Sequence, residues 1–263
     1  MGRGKQGQSI STIDKERRIA AALTVSMKIA NAKFGGKGYR FWYFDANCGS
    51  GYNHQVNVPG SPVVFWDVKQ HCLTAMDPVA HFCDRDPVAM QQLRNRLAQH
   101  SETAGSVLFN CDNEDAIKAF AENINRSENR KYAVGAALFD PNGYYYRSAG
   151  GIGVPVQALQ WFPVAFPRID LILNLNMRTF RLQRGAGHAV RPPTEVLRSL
   201  NRTHWLVARA GGQSRHLLAV GRNMAVRDHK ALGFYDWESP EGQCILDVDE
   251  WKEPATDLFG AVA

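Results

Sequence analysis

An acid and two glycines at the end of one aromatic segment are the first residues whose types and spacing could bind a ligand. Residues 39–44 read Tyr-Arg-Phe-Trp-Tyr-Phe and predict a buried strand, and Asp45, Gly49 and Gly51 follow. Glycine permits a tight turn or a close approach of the backbone to a ligand. In an open parallel sheet, ligand crevices lie at the carboxyl ends of strands. The segment therefore predicts a crevice of the nucleotide-binding type.

Three further acids follow predicted strands, and each has a binding and a structural interpretation. Asp84 follows a strand at 79–83, Asp112 follows a strand at 106–110, and Asp140 follows a strand at 132–139. Asp84 and Asp112 could instead cap the helices that come after them. Asp140-Pro-Asn-Gly could be a simple tight turn, because all four residue types are favoured in turns.

A repeated order of strand, polar strand end and helix must position these acids. Apolar spacing predicts strands and helices in alternation, five times over, between residues 39 and 173. This order requires a mostly parallel sheet with right-handed crossovers and helices on both faces. Two apolar runs, 204–209 and 216–220, predict an antiparallel hairpin joined through glycines. We therefore predict an α/β fold with a Rossmann-like sheet of seven strands that ends in a C-terminal antiparallel β-hairpin.

The predicted helices have the usual boundary signals. A long helix over 11–32 precedes the first strand, and Ser61-Pro62 and Ser239-Pro240 are typical of a cap followed by a first helical residue. Asp86 before Pro87 has the same pattern. Residues 1–10 are basic and rich in glycine, and we expect them to be disordered. Residues 11–263 are predicted to form one domain.

Composition restricts the class of protein. The chain has 263 residues, of which 44% are hydrophobic, so it can bury a large core without disulfides. Its five cysteines show no paired spacing, which favours buried free thiols in a reducing compartment and argues against a zinc site. No apolar run is long enough to span a membrane, and no signal peptide is recognised. We expect a cytoplasmic protein without a bound metal.

Charge is distributed unevenly along the chain. Residues 178–230 carry eleven Arg and Lys against two acids, and residues 231–263 carry eight acids against one lysine. A basic segment of this density suggests a polyanionic partner, most simply nucleic acid. Arg178, Arg181 and Arg184 follow the fifth strand, with the aromatic residues Phe180 and Trp205 nearby in sequence. The alternative is a solvated face that the acidic tail partly neutralises.

The order of the strand-end residues resembles class I S-adenosylmethionine-dependent methyltransferases. Asp45-x-x-x-Gly49-x-Gly51 is similar to the first motif of that family, and Asp140-Pro141 is similar to the start of its Asp-Pro-Pro-aromatic motif. Within the class, Gly60-Ser-Pro62, Asp84-Arg-Asp-Pro87 and Asp140-Pro-Asn-Gly143 resemble three-Cys-motif partner proteins most. The fourth motif departs from the family pattern, because it lacks the second proline and has Gly143 at the aromatic position.

The resemblance implies a cofactor, a substrate class and site residues. It implies that S-adenosylmethionine binds to five residues at the strand ends: Asp45, Gly49, Gly51, Asp84 and Asp112. It implies that Asp84 meets the ribose and Asp112 the adenine edge. It also implies methyl transfer to an exocyclic amine of a base in DNA or RNA. Asp140 and the Pro141 carbonyl would accept the hydrogens of that amine, and Tyr144, Tyr145 or Tyr146 would stack on the base.

Two other functions are compatible with the sequence. The altered fourth motif would permit a binding scaffold without turnover, or a subunit that works with a protein partner. The interpretation as an NAD-dependent oxidoreductase is weaker, because the glycine turn is not GxGxxG and because a hairpin closes the sheet. We interpret His54 as a surface residue and Cys48 as a packing residue.

Overall fold

The computed structural model describes residues 10–54, 56–99, 105–128, 130–140, 156–187, 190–210, 216–226 and 229–247. These residues contain eight α-helices, in chain order α1 (Ile10–Phe34), α2 (Ser61–Cys72), α3 (Pro87–Leu97), α4 (Asn113–Arg126), α5 (Val156–Ala165), α6 (Met177–Gly185), α7 (Pro193–Arg198) and α8 (Pro240–Leu246). Every helix that the sequence predicts is present. The helix α6 was not predicted.

The described residues contain ten strands, in chain order β1 (Arg40–Asp45), β2 (Tyr52–Asn53), β3 (Val58–Pro59), β4 (Asp77–Cys83), β5 (Ser106–Phe109), β6 (Val134–Phe139), β7 (Ile169–Asn176), β8 (His204–Ala210), β9 (His216–Arg222) and β10 (Tyr235–Asp236). Eight of them form one sheet in the order β10-β8-β9-β7-β6-β1-β4-β5. The five strands from β7 to β5 are parallel, and β9, β8 and β10 are added antiparallel.

The prediction of seven strands was wrong, because β10 is an eighth. β10 has only two residues, and it pairs antiparallel with β8. A strand of two residues is too short to produce an apolar pattern. The hairpin strands β8 and β9 pair antiparallel as predicted, but β9 lies between β7 and β8, so β10 rather than the hairpin forms the edge of the sheet. The residues that join β8 to β9 lie outside the described part of the chain.

Two local predictions at helix starts differ in outcome. Asp86 caps α3, since its side chain accepts a hydrogen bond from the backbone N–H of Val88, and Ser239 caps α8 in the same way. The cap predicted at Ser61 is wrong. Gly60 is the cap residue of α2 and Ser61 is already helical and buried, so its hydroxyl serves another partner.

Aromatic and aliphatic side chains cover both faces of the sheet. Trp42 and Phe44 of β1 pack in a cluster with Phe120 and Phe162 of the helices α4 and α5. Their neighbours Phe41 and Tyr43 point to the other face, where α1 and α2 pack. The alternation along β1 follows the two-residue period of a strand, and burial on both faces explains the unbroken apolar run. No helix among the described residues is long and apolar enough to cross a membrane.

The five cysteines are all free. Cys48, Cys72 and Cys83 are buried as predicted, but Cys111 is half-buried and Cys244 is exposed. Cys48 lies 3.6 Å from the sulfur of Met90, and its burial raises the pKa of the thiol, which agrees with a packing role.

Candidate active site at the carboxyl edge of the sheet

The parallel strands bring the predicted acids to one edge of the sheet. Asp45 ends β1 and is in register with Phe82 of β4 and Leu138 of β6. Asp84 and Asp140 therefore follow directly at the ends of the two neighbouring strands. Asp112 comes three residues after β5, next to β4 on the same edge. The sequence prediction that these acids share an edge is confirmed.

The glycine turn after β1 is open on one side and anchored on the other. Gly49 and Gly51 have φ angles of 58° and 73°, which a residue with a side chain rarely adopts. The N–H of Gly49 donates to Oδ2 of Asp84 at 3.0 Å, and the N–H of Cys48 donates to the carbonyl of Cys83 at 3.0 Å. No described atom outside the adjoining residues lies within 4 Å of where a Cβ on Gly49 would stand. The turn therefore leaves space for a ligand to approach its backbone.

Asp84 holds this turn and still has hydrogen-bonding capacity. Its Oδ1 accepts from the N–H of Asp86 at 2.8 Å, and its Oδ2 accepts from Gly49. Each carboxylate oxygen can accept a second hydrogen bond. The side chain is half-buried, so the remaining lone pairs can meet hydroxyl groups of a ligand. The capping role belongs to Asp86.

Asp112 has the position of a helix cap but does not act as one. It precedes α4, yet its side chain accepts no hydrogen bond from that helix. The side chain is 71% exposed and lies 3.9 Å from Nη1 of Arg85, which in a solvated pair contributes little. Asp112 is therefore the N-cap residue by position only, and its carboxylate can contact a ligand.

Asp45 lies beneath the turn and has no exposed surface. It accepts hydrogen bonds from Ser61 and from the N–H of Asn47, the latter at 3.3 Å, and Tyr43 lies 3.4 Å away. Burial raises the pKa of Asp45 to about 7, against the effect of the bonds from Ser61 and Asn47. In this arrangement Asp45 supports the turn from below. The bond to Ser61 also explains why that serine is buried at the start of α2.

Asp140 is held by donors from two other elements. Lys15 of α1 places Nζ 2.6 Å from Oδ2 of Asp140, and the Nδ2 of Asn174 in β7 donates to Oδ1. Nδ1 of His216 lies 3.2 Å from Oδ1 of Asn174. Burial acts to raise the pKa of Asp140, but the charge and hydrogen bond of Lys15, with the bond from Asn174, hold it below its usual value. Pro141 and Tyr144 lie outside the described residues.

Sequence reasoning missed Lys15, Glu16 and Asn174. The sequence contained one signal for Glu16, which is its helical spacing from the buried positions of α1. These positions are Thr12, Ile19, Leu23 and Met27, and Glu16 is buried with them. A charged residue on such a stripe is unusual unless it is paired. Oε1 of Glu16 lies 3.4 Å from Nζ of Lys15, whereas Oε2 is buried without a hydrogen-bond partner among the described residues.

The predicted arginines lie on α6, which begins directly where β7 ends. Asn176 caps this helix by accepting from the N–H of Thr179. Arg178 and Arg184 are exposed and Arg181 is half-buried. Phe180 and Trp205 are each 1% exposed and belong to the core, so they give no aromatic surface beside the arginines. For Trp205 the core role that its position at the start of a strand favours is confirmed.

The basic segment 178–230 is not a continuous charged surface. Arg202 is buried and donates to the carbonyls of Pro163, Phe166 and Ile169. Arg222 is buried against Asp170. At one point the acidic tail neutralises the segment, where Lys230 pairs with Glu241 at 3.0 Å. Any phosphate-binding surface must therefore be carried by a subset of these residues.

Comparison with known proteins gives a match at the level of the fold. No protein-family model matches the sequence, and the search of curated proteins gives no match. The crystal structure of human methyltransferase-like protein 13 in complex with SAH matches with a TM-score of 0.50 and 14% identity, over 89% of this chain and 90% of that chain. This chain has a fold similar to that of methyltransferase-like protein 13. Two weaker matches have TM-scores below 0.5 and add no further argument.

Both weaker matches cover less than half of the other chain. Monomeric WbdD matches with a TM-score of 0.47 and 12% identity, over 81% of this chain and 43% of that chain. The methyltransferase subunit of a type I restriction-modification system from Streptococcus thermophilus matches with a TM-score of 0.45 and 12% identity, over 79% of this chain and 44% of that chain.

In the described part of the chain, no group of three or more His, Cys, Asp or Glu could hold a metal ion.

Proposed function

We propose that this protein is an S-adenosylmethionine-dependent methyltransferase that acts on nucleic acid, at an exocyclic amine of a base. The observation that carries the proposal is the pairing, at one sheet edge, of an open glycine turn with a fixed carboxylate. The turn at Gly49 supports a cofactor site, and Asp140 supports an acceptor site. The methyltransferase fold is consistent with both.

The residues of the edge fit the proposed cofactor. Gly49 leaves room for a ligand beside the backbone, and Asp84 retains lone pairs for the two hydroxyls of a ribose. Asp112 is exposed and can accept from an adenine amino group. Asp45 and Gly51 shape the turn. When bound, S-adenosylmethionine supplies a methyl group on a sulfonium centre, and the protein's task is to align it with a nucleophile.

Asp140 can act on the acceptor. The lone pair of an exocyclic base amine is delocalised into the ring, so a carboxylate that accepts one of its hydrogens favours the nucleophilic form of the nitrogen. Asp140 has the required charge, because Lys15 and Asn174 hold it as a carboxylate. The assignment of the Pro141 carbonyl as a second acceptor, and of Tyr144 as the stacking residue, stays a prediction.

The nucleic-acid part of the proposal depends on α6. The helix starts at the carboxyl end of β7, the strand next to β6, so Arg178 in its first turn lies at the same edge of the sheet as Asp140, and Arg184 lies further along the helix. Both arginines are exposed. Guanidinium groups in such a position can bind backbone phosphates and hold a base near the crevice. Methyl labelling of separate DNA and RNA pools distinguishes the two substrates.

A scaffold without turnover is the second candidate. The specific observation in its favour is the altered fourth motif, in which Asn142 and Gly143 follow Pro141. Such a protein would bind cofactor and serve as a subunit for a protein partner, in line with the resemblance to three-Cys-motif partner proteins. The NAD-dependent oxidoreductase is disfavoured because the antiparallel hairpin strands are present.

The test is an incubation of the purified protein with methyl-labelled cofactor and separate pools of DNA, tRNA, rRNA and protein. We expect label in one nucleic-acid pool and in a modified base after nuclease digestion. Cofactor binding with no label in any pool would support the scaffold. Label in the protein pool alone would overturn the nucleic-acid assignment.

A further inference from the structure

Asp140 and Asp45 are a natural comparison, because both are acids at the ends of neighbouring strands and both are largely buried. Among the described residues, the donors to Asp45 are uncharged, namely the side chain of Ser61, the N–H of Asn47 and the hydroxyl of Tyr43, and burial raises its pKa to about 7. Asp140 accepts from the amide of Asn174 and also from the ammonium group of Lys15. Its pKa is shifted in the opposite direction. A charged donor is therefore the feature of Asp140 that the described donors to Asp45 lack.

The position of Lys15 follows from the direction of α1. Ser26, further along α1, donates to Asp170 at the start of β7, at 2.6 Å. The helix thus runs opposite to the parallel strands, and its first turns reach their carboxyl ends. The side chain of Lys15 is 14% exposed and that of Asp140 is 16% exposed, so little water screens the pair. The contact joins residues 125 positions apart in the sequence.

Stability alone gives a weak reason for this pair. Two charges lose their hydration when they are buried, and apolar residues of similar volume often stabilise a fold equally well or better. A charged pair that persists beside a ligand crevice is better explained by the chemistry of the carboxylate.

We propose that Lys15 is a positioning residue of the acceptor site, which keeps Asp140 fixed as a carboxylate that can accept a hydrogen from the substrate amine. The inference rests on the proposed function of Asp140. A protonated Asp140 would carry an O–H group, which donates a hydrogen bond. That oxygen would be a poor acceptor for the hydrogens of the substrate amine. Lys15 acts through Asp140, and the structure gives it no contact with the reacting atoms.

The groups that face Asp140 explain why Lys15 is decisive. Lys15 and Glu16 face it from α1, Asn174 from β7 and His216 from β9, and Asp45 lies on the adjoining strand β1. Asn174 is neutral, and Glu16 and Asp45 add negative charge when they ionise. His216 contacts Asn174, with Nδ1 3.2 Å from Oδ1 of that amide, whereas Lys15 contacts the carboxylate of Asp140 itself. Without Lys15, burial and the neighbouring acids would raise the pKa of Asp140.

The test compares Lys15→Met with Lys15→Arg and with the control Lys28→Met. Lys28 is an exposed lysine on the same helix, beyond the contact of Ser26 with the opposite end of the sheet. Methyl transfer is measured in single turnovers from pH 5 to 9. Because the pKa of Asp140 in the parent lies below its usual value, we expect the parent rate to show no acid limb from this group between pH 5 and 9. We expect Lys15→Met to bring that limb into the measured range, so that the rate falls about tenfold or more at pH 5 and recovers at high pH. Lys15→Arg and Lys28→Met should follow the parent.

Recovery at high pH separates positioning from a loss of folding, because a misfolded site would not regain its rate when Asp140 ionises. An unchanged profile in Lys15→Met, with transfer intact in the parent, would overturn the inference alone. No transfer by the parent at any pH would overturn the proposed function and the role of Lys15 with it.

A second measurement needs no variant of Lys15. Carbon-13 NMR of aspartate carboxyl groups gives the titration midpoint of each buried acid in the parent, and Asp140→Asn and Asp45→Asn assign the two signals. We expect Asp140 to titrate well below Asp45. A midpoint for Asp140 equal to or above that of Asp45 would overturn the inference even if every Lys15 variant failed to fold.

Discussion

At the scale of single residues, the carboxyl edge assigns different tasks to chemically identical side chains. Asp84 anchors the glycine turn and faces the crevice, Asp86 caps a helix, and Asp112 is exposed without capping. Asp45 supports the turn from beneath, and Asp140 is paired with Lys15. Their surroundings, rather than residue type, determine which acid can bind a ligand.

Asp84 is expected to be the strongest single determinant of cofactor affinity. Asp84→Ala removes the acceptor for ribose hydroxyls and the anchor of Gly49, at a cost of roughly 1.5–3 kcal/mol per charge-assisted bond. Calorimetric titration with S-adenosylmethionine or its demethylated product measures the loss. Asp77→Ala is the matched control, because Asp77 is an exposed acid at the opposite end of the same strand. Equal affinity in parent and Asp84→Ala would show that the ribose lies elsewhere.

Asp45 gives a prediction for the pH dependence of stability. Because its pKa is raised from 3.8 to about 7, the folded chain holds a proton that the unfolded chain releases. The stability that this proton contributes is present below the unfolded pKa and is lost as pH rises through the folded one. We expect the free energy of unfolding of Asp45→Asn to increase relative to that of the parent as pH rises from 5 to 8. Denaturant unfolding at each pH measures the difference, and a constant difference would contradict the assignment.

At the scale of elements, two helices outside the repeated strand and helix units complete the edge. The helix α1 precedes the first strand and brings Lys15 and Glu16 to the acids. The helix α6 continues β7 without an intervening turn and brings exposed arginines to the same region. The alternation of strands and helices requires neither α1 nor α6. Chains with the same sheet can therefore differ at these two helices.

The arginines of α6 are expected to determine the salt dependence of nucleic-acid binding. Each phosphate contact releases roughly 0.7 to 0.9 of a counterion, so Arg178→Ala with Arg184→Ala should flatten the salt slope by up to about two units. Cofactor affinity should not change. Lys28→Ala with Lys37→Ala removes two charges from exposed side chains toward the opposite end of α1 and serves as the control. Fluorescence anisotropy across salt concentrations gives the slopes. Identical slopes in both double variants would place phosphate binding outside α6.

At the scale of the whole molecule, the sheet could be predicted because its signals are local. The run at β1 is apolar on both faces since helices cover both. Acids end or follow four of the five parallel strands because those strand ends meet solvent or ligand. The helix α6 could not be predicted, because it buries only Met177 and Phe180, and its other apolar side chain, Leu182, is exposed. Two-residue β10 gives no pattern at all.

The contacts that define the site depend on tertiary placement. Lys15 reaches Asp140 only because α1 runs against the strands, and Ser61 reaches Asp45 only because Gly60 rather than Ser61 caps α2. Spacing in the sequence contains neither fact. Residue types therefore indicated which acids could act, and packing determined the charge state and accessibility of each.

Single-turnover methyl transfer by Asp140→Ala, on the nucleic acid that the parent labels, tests the central claim most directly. Asp140 acts on the acceptor, so we expect the rate to fall by orders of magnitude while calorimetric affinity for the cofactor stays close to that of the parent. The retained affinity shows that the variant is folded at the sheet edge. Equal transfer rates for Asp140→Ala and the parent would contradict the account.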